Sequence, residues 1–150
     1  MHTGVLATLG LALAFLYWIG YYERVGAQHE LHVRNALEAR RLRRWAYGHI
    51  PLLVGVAGGG AGLIAATGSA SGTAASWLMA LCITGAMVGL TLIGEARRVA
   101  TGAGPSRRNL HLVLALLPMM LAPSGVMAWA LASGVATAAA QIALSRWNAP

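Results

Sequence analysis

The sequence predicts an all-α protein, a polytopic transmembrane helical bundle of about five spans with one cytoplasmic arginine-rich helix, and three observations carry that prediction. Hydrophobic residues make up 57% of the 150 residues and charged ones 10%, whereas soluble globules carry about a quarter charged residues. Apolar runs recur at about the length, roughly 20 residues, that a helix rising about 1.5 Å per residue needs to cross a hydrocarbon core. All eleven basic residues are arginines, and they are confined to stretches between or after those runs. Arg24, Arg34, Arg40, Arg41, Arg43 and Arg44 form one group, Arg97, Arg98, Arg107 and Arg108 a second, and Arg146 stands near the end. Because basic residues accumulate in short cytoplasmic loops, this alternation puts the N-terminus outside and the C-terminus in the cytoplasm.

The first span, about 3–22, ends in Tyr17, Trp18, Tyr21 and Tyr22, aromatics suited to the headgroup boundary. No basic residue precedes it, and Glu23-Arg24-Val25-Gly26-Ala27 is a poor cleavage site, so it reads as a span and not as a signal peptide. Residues 23–44 are polar and free of proline. Glu30 and Arg34 stand at i,i+4 and Glu38 and Arg41 at i,i+3, which supports a cytoplasmic helix. Its apolar positions make no clean stripe, so its arginines, Arg40, Arg41, Arg43 and Arg44, are expected to touch anionic lipid, as are Arg97, Arg98, Arg107 and Arg108.

The second span, about 45–67, holds Pro51 in its first turns, where early amides lack intrahelical partners. It then carries Gly55/Gly59 and Gly58/Gly62, and the third span, about 76–94, carries Gly85/Gly89. Small residues four apart let helix backbones approach closely, which matters in lipid, where apolar burial no longer drives helices together. These glycines are expected to pack against further transmembrane helices, from a missing N-terminal part or a second copy. The stretch 110–145 is too long for one span. Pro123, Ser124 and Gly125 divide it into arms at about 107–122 and 126–145, giving five spans. The alternative is four, with the short arm re-entrant or the last two arms forming one kinked helix.

Several function classes are excluded or disfavoured. The charge of +7 would suit nucleic acid, but lysine is absent and no base-reading or stacking motif occurs, so lipid is the expected partner. Cys82 is a lone cysteine in an apolar run and reads as a small buried hydrophobe. No nucleophile–base pair, phosphate loop or cofactor fingerprint is present, and the chain reads as neither an enzyme nor a cofactor protein. No ionisable residue lies between the expected interfaces. Carriers commonly keep one there, so transport is the lesser expectation. His49, Glu95 and His111 fall at the cytoplasmic ends of successive spans, with His29, His32, Glu23 and Glu30 nearby. They form a candidate proton or polar site; no tight metal-ligand motif accompanies them.

The string Tyr47-Gly48-His49-Ile50-Pro51-Leu52-Leu53-Val54-Gly55-Val56, after an arginine-rich helix and an aromatic-ended span, resembles the Tyr-x-His-Leu-Pro-x-x-x-Gly-Ile motif of the bacterial low-temperature-requirement A proteins. The order of span, loop, span, arginine-rich turn and two close arms agrees with it. The resemblance covers most of the chain and corresponds to the C-terminal part of such a protein. Glu23 stands where that family carries an acidic residue, although the spacing inside Tyr17–Tyr22 differs. The resemblance implies a multi-spanning inner-membrane protein linked to growth in the cold, with Tyr47, His49, Pro51 and Gly55 as its motif residues.

Overall fold

A computed structural model describes residues 2–25, 35–67, 72–101 and 108–147. Those residues form α1 (His2–Val25), α2 (Ala36–Thr67), α3 (Thr73–Thr101), α4 (Arg108–Ala115), α5 (Leu117–Leu121), a 3-10 turn (Ala122–Ser124) and α6 (Met127–Trp147). The protein is an all-α helical bundle, and among the described residues four helices are long and apolar enough to cross a membrane: α1, α2, α3 and α6. The fifth expected span is the shorter apolar segment Asn109–Ser124. At about 1.5 Å per residue its helical length falls short of a hydrocarbon core of about 30 Å.

Two boundaries differ from the sequence reading. The separate helix expected over 23–44 is not an element of its own in the described residues: Glu23 to Val25 complete α1, and Ala36 to Arg44 open α2. The cause of the second is a cap. The Asn35 side-chain oxygen accepts the Glu38 amide at 2.9 Å, satisfying one of the orphan donors of a helix start, and the helix then continues through Trp45 without a break. At 32 residues, α2 is about 48 Å long, so its arginine-bearing opening extends beyond what a bilayer core needs. His29, His32, Glu30 and Arg34 lie outside the described residues.

The core is organised around α3, of whose span 56% is buried, against 17% for α1 and 22% for α2. Met79, Ile83, Met87, Leu90 and Ile93 of α3 meet Leu13 and Tyr17 of α1, Leu52 of α2 and Leu131 of α6. The contact between α2 and α3 is nearly bare backbone. A Cβ at Gly55 would lie 2.6 Å from the Ala86 nitrogen and closer still to the Cys82 carbonyl, and one at Gly89 would lie 2.6 Å from the Gly48 carbonyl. Only glycine fits there. Gly58 faces the Cys82 sulfur and Gly62 the end of Met79, whereas Gly59 and Gly85 have ordinary room, 3.8 and 3.6 Å from the nearest atoms. The glycines expected to await outside helices thus pack α2 and α3 against each other.

The Arg108–Ser124 arm is broken at Leu116, because Pro118 has no amide to donate to the carbonyl four residues back. The Met119 amide turns to the Leu116 carbonyl at 3.0 Å, leaving the Ala115 carbonyl to accept the Thr84 hydroxyl of α3 at 2.9 Å. Gln141 of α6 donates to the His111 carbonyl at 2.9 Å. The arm ends on Gly125, whose φ of 69° is a left-handed conformation that glycine adopts without a steric penalty.

Candidate functional site at the arginine-bearing end of the bundle

One end of the bundle gathers the polar side chains, and contacts between elements define it. The end of α1 meets the end of α6 where Glu23 accepts Arg146 at 2.6 and 2.7 Å and Ser145 at 3.4 Å. It meets α2 where Tyr21 pairs with His49, and α3 where Arg24 lies against Gly94. His111, near the start of α4, joins through Gln141. The last turns of α3 carry Glu95, Arg97 and Arg98 at this same end, and α4 begins at Arg108. Arg40, Arg43 and Arg44 lie exposed on the opening of α2; the side chains of Arg41, Arg97, Arg98 and Arg108, and all of Arg107, lie outside the described residues.

His49 is held on both ring nitrogens. Nδ1 is 2.7 Å from the Trp45 carbonyl, which can only accept, so Nδ1 carries a proton. In the neutral ring Nε2 is then an acceptor, and the Tyr21 hydroxyl, 3.2 Å away, donates to it. Protonation of the ring would reverse that second bond without breaking it, with Nε2 donating to the phenol oxygen. The rings of Trp45 and Tyr21 stand edge-on to the imidazole at 4.4 and 5.7 Å. The Trp45 indole N–H is buried and finds no acceptor among the described residues.

The other motif residues have structural duties or none. Tyr47 points outward, the Pro51 carbonyl lies beside Gly85, and Gly55 sits in the α2–α3 contact. His49, Glu95 and His111 share the end of the bundle, but among the described residues no three His, Cys, Asp or Glu side chains gather closely enough to hold a metal ion.

Two side chains depart from the sequence reading. Tyr17, expected at the headgroup boundary, is 7% exposed and donates its hydroxyl to the Ile83 carbonyl at 3.2 Å, because an aromatic on the α3-facing side of α1 is enclosed whatever its depth. Trp18 and Tyr22 keep the expected exposure, with ring centroids 4.9 Å apart. Arg24, expected outside the spans, is 9% exposed, and its guanidinium turns back along α1 to donate from Nη1 to the Gly20 carbonyl at 2.8 Å. Gly20 and Gly94, one on each side, supply the room: a Cβ on either would come within 2.9 or 3.2 Å of the Arg24 side chain. Nothing in sequence spacing alone distinguishes this arginine from its solvated neighbours; Gly20 at i−4 is the one signal, since it leaves that stretch of helix face open.

An all-α bundle with four helices long and apolar enough to cross a membrane, and with the arginines of its described helices at one end, has the features of a membrane protein. The family model for the bacterial low temperature requirement A protein (LtrA) matches residues 1–145, and the chain belongs to that family. No curated protein and no solved structure matches the chain.

Proposed function

We propose that this chain is a non-enzymatic helix-packing module of a bacterial inner membrane, linked to growth in the cold, with its N-terminus outside and its C-terminus and arginines cytoplasmic. The observation that carries this reading is the contact at Gly55 and Gly89, where each glycine lies against the backbone of the other helix and a Cβ would not fit. A seam of that kind makes α2 and α3 a stiff platform, because close-packed backbones gain dispersion contacts over their whole length with no rotamers to order. On the side of α2 away from the seam, Leu53, Val54 and Ile64 are exposed, and Gly60 has open space around it. That face is offered to lipid or to further transmembrane helices, from another part of a longer protein or from a second copy. The orientation rests on arginines at the ends of α1, α3 and α6 and at the openings of α2 and α4, which retain positive charge on one side.

The test is growth at low temperature of cells whose own gene is replaced by a Gly55→Leu or a Gly4→Ala variant, the latter meeting open space on α1, with membrane levels of each protein measured alongside. Loss of cold growth and of assembly size for Gly55→Leu, with Gly4→Ala normal, is the expected outcome. Normal cold growth and unchanged assembly for Gly55→Leu would sink the reading.

A second reading, part of a proton-linked carrier, is favoured by one observation: the Tyr21–His49 pair can take up a proton while keeping its geometry. Proton flux into liposomes containing the protein, compared with His49→Ala, Tyr21→Phe and Glu95→Gln, decides it. Equal flux in all four removes those residues from any pathway.

A further inference from the structure

We propose that Arg24 is a binding site for a phosphate-class oxyanion, the headgroup of an anionic phospholipid entering between α1 and α3. An arginine one residue from the end of a span ordinarily extends its stem outward, so that the charge reaches water. Arg24 does the reverse. It sits at the penultimate position of α1, yet its guanidinium folds back toward the middle of the span and bonds the carbonyl of Gly20, with 9% of the residue exposed. This holds whichever side of the membrane that end faces.

The slot is shaped for the charge. Gly20 and Gly94 flank the side chain, and a Cβ at Gly94 would press on Cδ and Nε at 3.2 Å. The floor is apolar: a Cβ at Gly20 would lie 3.7 and 3.8 Å from Leu90 of α3 and Ile142 of α6. A guanidinium has five donors in a planar fork, and Nη1 uses one on Gly20. The adjacent carboxylate, Glu23, acts on Arg24 electrostatically but is shared with Nε and Nη2 of Arg146 and with the Ser145 hydroxyl. With one hydrogen bond made among the described residues and its neighbouring carboxylate divided with Arg146, Arg24 keeps donors for an anion from outside the protein. A phosphodiester suits it, because two of its oxygens match the fork bidentately.

The test is a titration of the full-length protein in neutral detergent micelles, followed by tryptophan fluorescence and native mass spectrometry. The probes are phosphatidylglycerol, phosphatidylcholine and inorganic phosphate alone. Phosphatidylglycerol is expected to bind tighter than phosphatidylcholine. Arg24→Gln, which keeps a donor for Gly20 but no charge, is expected to bind phosphatidylglycerol about tenfold more weakly, the scale of one charge-assisted hydrogen bond. Arg24→Lys, charged but without the fork, should fall between, and Arg40→Gln, which removes the same charge from the exposed opening of α2, should lose less than Arg24→Gln. Saturation by inorganic phosphate alone with the same dependence on Arg24 assigns the site to a free anion; no response to phosphate with retained lipid binding assigns it to the headgroup. Should Arg24→Gln fail to fold, Gly94→Val keeps the charge and fills the slot, and the same tenfold loss is expected. Binding of phosphatidylglycerol equal to the parent in Arg24→Gln, or in a folded Gly94→Val, overturns the proposal.

Discussion

Adding one methyl group to α2 is expected to have opposite effects at two positions five residues apart. At Gly55 the new Cβ would stand 2.6 Å from the Ala86 nitrogen and 2.9 Å from the Ala86 Cβ. Since carbon atoms rest about 3.5–4.0 Å apart, α2 and α3 must separate by roughly 1 Å to admit it. The atoms that would have to give are backbone of the facing helix, which cannot turn aside as a flexible side chain can. Overpacking of this kind costs about 1–3 kcal/mol, and here it also loosens contacts along the rest of the seam. At Gly60 no atom lies within 4 Å of the new Cβ, so the substitution meets open space, and the helix propensity of alanine contributes up to about 1 kcal/mol in its favour. The propensity gain is common to both variants, so Gly55→Ala should be less stable than Gly60→Ala by about 1–3 kcal/mol, the overpacking cost alone. Equilibrium unfolding in mixed micelles, with a rising fraction of anionic detergent and helicity followed by circular dichroism, measures the difference. Superimposable curves for the two variants would mean that the helices do not approach as described, and the reasoning about the seam would fall with them.

The same logic separates Gly89→Ala, expected to lose about 1–3 kcal/mol in the same unfolding assay, from Gly85→Ala, expected near the parent because its nearest neighbour is 3.6 Å away. Thr84→Val keeps the shape but leaves the Ala115 carbonyl without its donor, which should cost about 0.6–1.7 kcal/mol and speed hydrogen exchange in the Arg108–Leu121 arm ahead of the other helices. Glu23→Gln weakens the pairing with Arg146; with Arg146 largely exposed, the loss should stay under about 1 kcal/mol and shrink further as salt is raised.

The elements themselves were legible in the sequence. Apolar length, the turn signal at Pro123-Ser124-Gly125 and the glycine spacings in α2 and α3 all act locally, through helix rise, backbone strain and steric clearance, and local terms are what a sequence displays. The start of α2 was not legible: the i,i+4 charge pairing across 30–34 suggested a helix continuous from residue 23, and it is the structure that shows Asn35 capping a helix begun at Ala36. Partners were not legible. Gly55 and Gly89 announce a close approach without saying to what; in the structure Gly55 meets Cys82 and Ala86 of α3, and Gly89 meets Gly48 and Leu52 of α2. Tyr17 and Tyr22 have the same chemistry five residues apart; only the direction each faces on α1, toward α3 or away from it, makes one a buried donor and the other a surface aromatic. Arg24 is the sharpest case, since its inward turn depends on Gly94 of another helix. Of the three side chains grouped as a candidate site, His49 gained a ring partner on another helix, Tyr21, which spacing could not have paired, beside Trp45 one turn back on its own helix.

Four of the bonds described above share a design: Tyr17 to Ile83, Arg24 to Gly20, Thr84 to Ala115 and Gln141 to His111 all end on a main-chain oxygen. Every amino acid supplies that oxygen, so the receiving positions, Gly20 apart, answer for their hydrogen bond with backbone alone, while the donating ones cannot. Mutational tolerance should therefore be lopsided across each contact, with the exposed positions of the broken arm able to change provided that Pro118 keeps the break and α3 and α6 retain the groups that grip it.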